Sequence, residues 1–158
     1  RAVSGTVVWV QTSLQRREDW PVFLNMLLLP DFADRYVRDL KPGGEGYKLW
    51  PELEAEAGDL YVTKNRFSAF LPSACKLPEI LRARGIDTVL IVGTLTNVCC
   101  ESSARDAMMG DFKTVMVSDA NAARSDAEHI AALATVVQFF ADVRSTDEVL
   151  EMLAATPR

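Results

Sequence analysis

Little in this sequence of 158 residues invites metal or cofactor chemistry. It holds one histidine, His129, and three cysteines, Cys75, Cys99 and Cys100, with neither C-x-x-C nor H-x-x-x-H spacing. A structural zinc site and a histidine-based catalytic metal are therefore not expected, and no cofactor is implied. G-x-S-x-G is absent too, which removes the serine hydrolases built on that elbow. The odd cysteine count, with two of the three adjacent, fits no disulfide framework and reads as reduced thiols in a cytoplasmic protein. The longest apolar stretch, residues 23–30 (FLNMLLLP), is far shorter than the ~20 residues of a membrane helix, and no basic segment leads into an apolar signal core. Lys and Arg number 17 against 22 Asp and Glu, a net charge of −5. An acidic chain without a basic block excludes nucleic acid and anionic membranes as partners. The glycines of PGGEG (Gly43, Gly44, Gly46) follow no strand and open no helix, so they read as a turn rather than a phosphate cradle.

What is present alternates. Residues 6–11 (TVVWVQ), 60–64 (LYVTK), 86–93 (IDTVLIVG), 112–117 (FKTVMV) and 142–145 read as strands. Helical patterns fall at 31–40, 77–84 (closed by Gly85), 97–109 (closed by Gly110), 125–141 and 146–155. Ser125 with Glu128 has capping spacing. Strands alternating with helices predict an α/β fold with a parallel sheet, read as a single domain over residues 1–158. Such sheets bind ligands beyond the carboxyl ends of their strands. That directs attention to Lys64, to residues 93–99 and to Asp119.

The turn at residues 93–100 (GTLTNVCC) joins the strongest strand pattern to a helix. Thr96 and Asn97 are both good N-cap residues, which places Cys99 in the first helical turn, where the positive end of the helix favours a thiolate. Cys100 shares a stripe with Ala104, Ala107 and Met108 and reads as core, while Cys99 falls off it. Cys99 is thus the reactive candidate, against the alternative of an inert buried thiol. Lys64, at a strand end, can supply positive charge to a thiolate and an oxyanion, or be a plain solvated charge. His129 sits at the edge of a helix's apolar face and reads as structural or solvated. Trp20, Trp50, Phe67 and Phe70 are pocket candidates, as is Asn97; for the aromatics the alternative is core packing.

Three segments, VTKNRFSAF (62–70), GTLTNVCCESSARDA (93–107) and VSDA (117–120), resemble the isochorismatase-like cysteine hydrolases, in family order and across nearly the whole chain. The resemblance implies a Rossmann-like three-layer fold and a Cys–Lys–Asp triad with Cys99 as nucleophile and Lys64 as the lysine. It places a cis peptide between Thr94 and Leu95, with the N–H groups of Leu95 and Cys99 forming the oxyanion hole. Retention of Cys99 favours a small-molecule amide or ureide C–N bond over the vinyl ether of isochorismate, and the lack of histidine in residues 12–50 disfavours the metal-binding nicotinamidase branch. Homo-oligomers are common in the family. The D-x-Q motif that carries the family's aspartate is not in this sequence, which starts at Arg1. The expectation is a domain whose first βα unit, with a central strand between those matched by TVVWVQ and TVLIVG, is absent. Two alternatives follow: an inactive member serving as a binding or assembly module, or isochorismatase-type ether hydrolysis.

Overall fold

Two short β-branched runs, VWVQT and LYVTK, pair in parallel along their whole length, from Val8 opposite Leu60 to Thr12 opposite Lys64. They are β1 (Val8–Thr12) and β2 (Leu60–Lys64) of a computed structural model that describes residues 5–155. The chain divides into two compact units, residues 6–66 and, with Gly5, residues 67–155.

In residues 6–66 the long connection between the strands folds on itself. A 3-10 turn (Arg17–Asp19) and a π-turn (Phe23–Leu27) lead into α1 (Pro30–Leu40). Pro30 suits the first helical position, where its missing N–H costs no hydrogen bond. Leu14, Leu24 and Ala33 are wholly buried together, and Phe23 and Tyr36 meet edge to face at 5.5 Å. The FLNMLLLP stretch is split by this arrangement. Leu24 turns in, whereas Met26, Leu27 and Leu29 are exposed.

Residues 67–155 carry the regular alternation: α2 (Leu77–Ala83), β3 (Thr88–Thr94), α3 (Glu101–Met109), β4 (Lys113–Ala122), α4 (Asp126–Phe139), β5 (Asp142–Arg144) and α5 (Thr146–Ala155). β3, β4 and β5 form a parallel sheet in that order. Gly85 ends α2 with φ +68°, a conformation that costs glycine little. Cys100, Ala104, Met116 and Val136 make the buried centre, joined by Ile91, Leu133 and Val143. On α3, Arg105 pairs with Glu101 at 2.7 Å, and its guanidinium lies 4.0 Å from the centre of the ring of Phe140, which ends α4.

β4 runs further than its sequence suggests. The pattern predicts a stop at Ser118-Asp119, yet pairing resumes after a bulge. Ile91 faces Met116, but Gly93, at φ +124°, faces Asn121. The extra residues of β4 are accommodated because the Asn121 amide donates to Ile91 O (2.9 Å) and Val117 O (2.7 Å), replacing ladder bonds lost at the bulge. The sheet pairings thus form two parallel sheets, β1–β2 and β3–β4–β5, in an α/β chain. Among the described residues β3 has β4 as its only strand neighbour, and Leu90 and Val92 on it are exposed.

Candidate active site

β3 delivers the chain to Gly93 and Thr94, and the Thr94–Leu95 peptide is cis. The chain then enters a five-residue π-turn, Thr96–Cys100, that runs directly into α3. Leu95 O accepts from Val98 N at 3.1 Å and from Cys100 N at 3.2 Å. This corrects the expectation that Thr96 or Asn97 caps the helix. Leu95, at φ −90° and ψ 144°, occupies the cap position and has no side-chain oxygen to offer. The turn starts one residue earlier than the side-chain chemistry implies, so Thr96 lies inside it, wholly buried. Its hydroxyl lies 2.8 Å from Nδ1 of His129 on α4, a half-buried side chain.

The two adjacent thiols separate as helical geometry requires. Cys100 is buried against Ala104, Met116 and Val136, while Cys99 is half-buried. Behind Cys99, Ser103 Oγ donates to the Cys99 carbonyl at 2.6 Å and accepts from Ala69 N at 3.0 Å. One buried serine therefore fixes the carbonyl of the cysteine and the main chain of the FSAF segment. Nothing in the sequence marked Ser103 for this, although it lies on the same helix face as Cys99. Asn97 shares the turn, and its Oδ1 is buried without a hydrogen-bond partner. Thr94, Leu95, Asn97 and Cys99 are thus brought together on one turn.

Lys64 ends β2 in the other unit. It is 5% exposed, not a solvated charge, and its ammonium donates to Arg66 O (2.9 Å) and Thr12 Oγ1 (3.1 Å). Desolvating an ammonium is costly, so such oxygen acceptors are what allow it to stay inside. Arg66 donates to Asp19 O and Asn65 O and stands 4.9 Å over the Trp20 ring.

The aromatic pocket candidates disperse. Phe70 is a core residue, buried in edge-to-face contact with Phe112 at 5.3 Å. Trp20 packs against Phe23 at 4.6 Å and under Arg66, so it serves the interior of residues 6–66. Trp50 is exposed and Phe67 half-buried. Asp119 serves its own neighbourhood. Its Oδ1 accepts from both Thr146 N and Thr146 Oγ1 at 2.8 Å, and these bonds, the hydroxyl's first, hold its carboxyl below the ordinary value of 3.8. It caps α5. Among the described residues no three His, Cys, Asp or Glu side chains group as metal ligands, and no helix is long and apolar enough to cross a membrane.

A half-buried thiol on a strand-to-helix turn, at the carboxyl end of a parallel strand, is the candidate site of an α/β protein. Residues 1–148 match the Isochorismatase domain, and the chain belongs to that family. It is 39% identical over 119 residues to a ureidoacrylate amidohydrolase of Stutzerimonas stutzeri, covering 75% of this chain and 47% of that protein. An uncharacterized isochorismatase family protein of Bacillus subtilis is 37% identical over 103 residues, covering 65% of this chain and 53% of the relative. The chain thus spans about half the length of these relatives. Among solved structures, a cysteine hydrolase from Pseudomonas syringae superposes with a TM-score of 0.85 at 27% identity, over 98% of this chain and 75% of that one. An N-carbamoylsarcosine amidase from Thermoplasma acidophilum gives a TM-score of 0.73 at 28% identity, over 93% of this chain and 76% of that one.

Proposed function

We propose that this chain is the cysteine-bearing part of a hydrolase that cleaves a C–N bond of a small amide or ureide through an acyl-enzyme on Cys99. The observation that carries this reading is the contrast within the CC pair: Cys100 is buried in the core, while Cys99 is partly accessible on a turn held from both sides. A thiol so placed lies beside the main-chain N–H groups of the helix start, where an oxyanion formed by its attack can be bound. The names of two relatives, an amidohydrolase acting on ureidoacrylate and an amidase acting on N-carbamoylsarcosine, favour amide or ureide substrates over an ether.

In this mechanism the Cys99 thiolate adds to the substrate carbonyl carbon and the carbonyl π pair moves to oxygen. The tetrahedral oxyanion collapses, the C–N bond breaks, and the nitrogen leaves as ammonia or an amine carrying the proton that the Cys99 thiol gave up. Water then attacks the thioester, releasing the acid and restoring the thiol. The main-chain N–H groups of Leu95 and Cys99 are the proposed oxyanion donors, since donors at a helix start act where charge develops. Lys64 enters through its motif as the cation that supports thiolate and oxyanion.

The test is ammonia release from N-carbamoyl and ureido substrates by the intact gene product. Cys99→Ala should abolish turnover, and Lys64→Met should lower kcat by about a hundredfold or more, the scale of losing one electrostatic stabiliser. Normal turnover by Cys99→Ala excludes the covalent mechanism. Turnover of isochorismate in place of the ureides moves the reading to ether hydrolysis.

A further inference from the structure

His129 is the chain's one histidine, and the chemistry above makes no use of it. Its ring is nevertheless committed. Thr96 is wholly buried, and a buried hydroxyl left without a partner is strongly disfavoured. The side-chain partner it has is Nδ1 of His129, at 2.8 Å. The hydroxyl donates to Nδ1 or accepts from it according to the ring's tautomer, and either way the bond ties Thr96 to the ring.

We propose that His129 is a positioning residue for the Cys99 thiol, acting through Thr96; this rests on the reading of Cys99 as nucleophile. The turn needs such an anchor. A π-turn is a poor closure by itself, and here one carbonyl, Leu95 O, serves two donors at 3.1 and 3.2 Å. Side chains therefore fix what the main chain holds loosely. Ser103 grips the Cys99 carbonyl from behind at 2.6 Å, and His129 grips the front through Thr96, the first residue of the turn. Between the two grips lie only Asn97 and Val98 before the cysteine, so a shift of Thr96 becomes a shift of the thiol.

The helix that presents His129 is itself well placed for this work. Its first turn is capped by Ser125, whose hydroxyl accepts from Glu128 N, and Ala132 and Val136 are buried further along it. A side chain borne on a packed, capped helix locates its contact better than one on a loop. A solvated histidine at the edge of an apolar face would have neither the buried partner nor this fixed base.

The decisive comparison uses the two ring nitrogens. Asparagine places an amide where Nδ1 of histidine lies, and glutamine reaches towards the place of Nε2. Cys99 alkylation by iodoacetamide in the whole chain, followed by fragment-ion mass spectrometry that separates Cys99 from the adjacent Cys100 and from Cys75, reads the thiol directly. His129→Ala should slow it by about tenfold, His129→Gln should behave like alanine, and His129→Asn should stay within about threefold of the parent, the scale on which small misplacements of a reacting group act. On a ureide substrate the loss should fall on kcat with KM unchanged. Thr96→Val removes the same bond from the other side and should slow alkylation as His129→Ala does, which covers the case of a histidine variant that does not fold. Parent-like alkylation in His129→Ala or Thr96→Val overturns the proposal, as does an asparagine variant as slow as the alanine one. Turnover surviving in Cys99→Ala would instead remove the nucleophile reading, while the alkylation series still decides whether His129 positions the thiol.

Discussion

Residues 6–66 and residues 67–155 both pair parallel strands, yet they keep their apolar cores in different places. In residues 67–155 the core lies on the sheet: Met116 of β4 packs with Cys100, Ala104 of α3 and Val136 of α4, and Ile91 and Val143 join from the neighbouring strands. In residues 6–66 no residue of β1 is fully buried, and Leu14, Leu24 and Ala33 gather in the connection between the strands. One region is a layer of helices on strands, and the other is a pair of strands joined by a segment with its own small centre. The difference teaches that the cysteine and the lysine rest on unlike supports. Cys99 stands on a turn held by two packed helices, and Lys64 stands at the end of a two-stranded ladder and is held by oxygen acceptors.

The strongest way to break this comparison is to open each core. Met116 is wholly buried among strand and helix neighbours that cannot close around a gap, so Met116→Ala should cost about 2–5 kcal/mol in urea unfolding. Leu24→Ala removes a side chain equally buried, but Leu14, Trp20, Phe23 and Leu28 beside it sit on loops and short turns that can collapse towards α1, so its cost should fall near the low end, about 2–3 kcal/mol. Equal losses, or a larger one for Leu24, would show that the connection is packed as rigidly as the sheet.

Helix starts give a smaller contrast. α4 and α5 begin with oxygen caps: Ser125 Oγ accepts from Glu128 N, and Ser145 exchanges bonds with Glu148, its N–H donating at 2.8 Å and its hydroxyl accepting at 3.3 Å. α1 begins at Leu29 with no side-chain cap. Ser125→Ala should therefore cost about 1 kcal/mol, and Leu29→Ser should gain about 0.5–1 kcal/mol, both read from thermal melts. A Leu29→Ser variant that is no more stable would mean that α1 is already fixed by Pro30 and the packing around Ala33.

The same division governs how much could be read from the sequence. LYVTK is a strand from end to end, the helices at 77–84 and 146–155 lie within a residue of the observed ones, and the Ser125–Glu128 spacing marks a real cap. In each case residues a few places apart decide the structure. The assignment of Cys100 to the core and Cys99 off it was legible for the same reason, being a matter of helical angle. What the sequence hid depends on distant partners. Thr96 looks like a cap until His129, 33 residues on, claims its hydroxyl. β4 passes its apparent stop because Asn121 reaches back to Ile91 and Val117. Lys64 reads as a surface charge until Thr12, 52 residues earlier, is found beside it. Phe70, open between pocket wall and core in the sequence, is core because it meets Phe112.

Acid offers the finest test, because carboxylates support the two regions at different kinds of site. In residues 6–66 the N–H of Gln15, with that of Arg16, holds the Asp19 carboxyl below its ordinary 3.8. In residues 67–155 Asp119 is held down by Thr146 and Glu148 by the N–H of Ser145, two groups at the start of α5, while Asp87 is held down by Lys113 elsewhere. A carboxyl whose folded pKa is depressed contributes stability that is present above its unfolded value and is lost as pH falls through the folded one. For Asp119 and Asp19 the loss therefore lies below pH 3.8, and for Glu148 below 4.5. As pH falls past these values α5 should fray from Thr146, seen as faster hydrogen exchange at Ser145 and Thr146 than in α4, whose cap is a hydroxyl that does not titrate. Asp119→Asn keeps an oxygen that accepts both Thr146 bonds but cannot be protonated. It should leave neutral-pH stability nearly unchanged and flatten the acid dependence of exchange at Thr146. If the asparagine variant frays with acid as the parent does, Glu148 alone governs the start of α5, and the Asp119 bonds are a matter of local geometry rather than of charge.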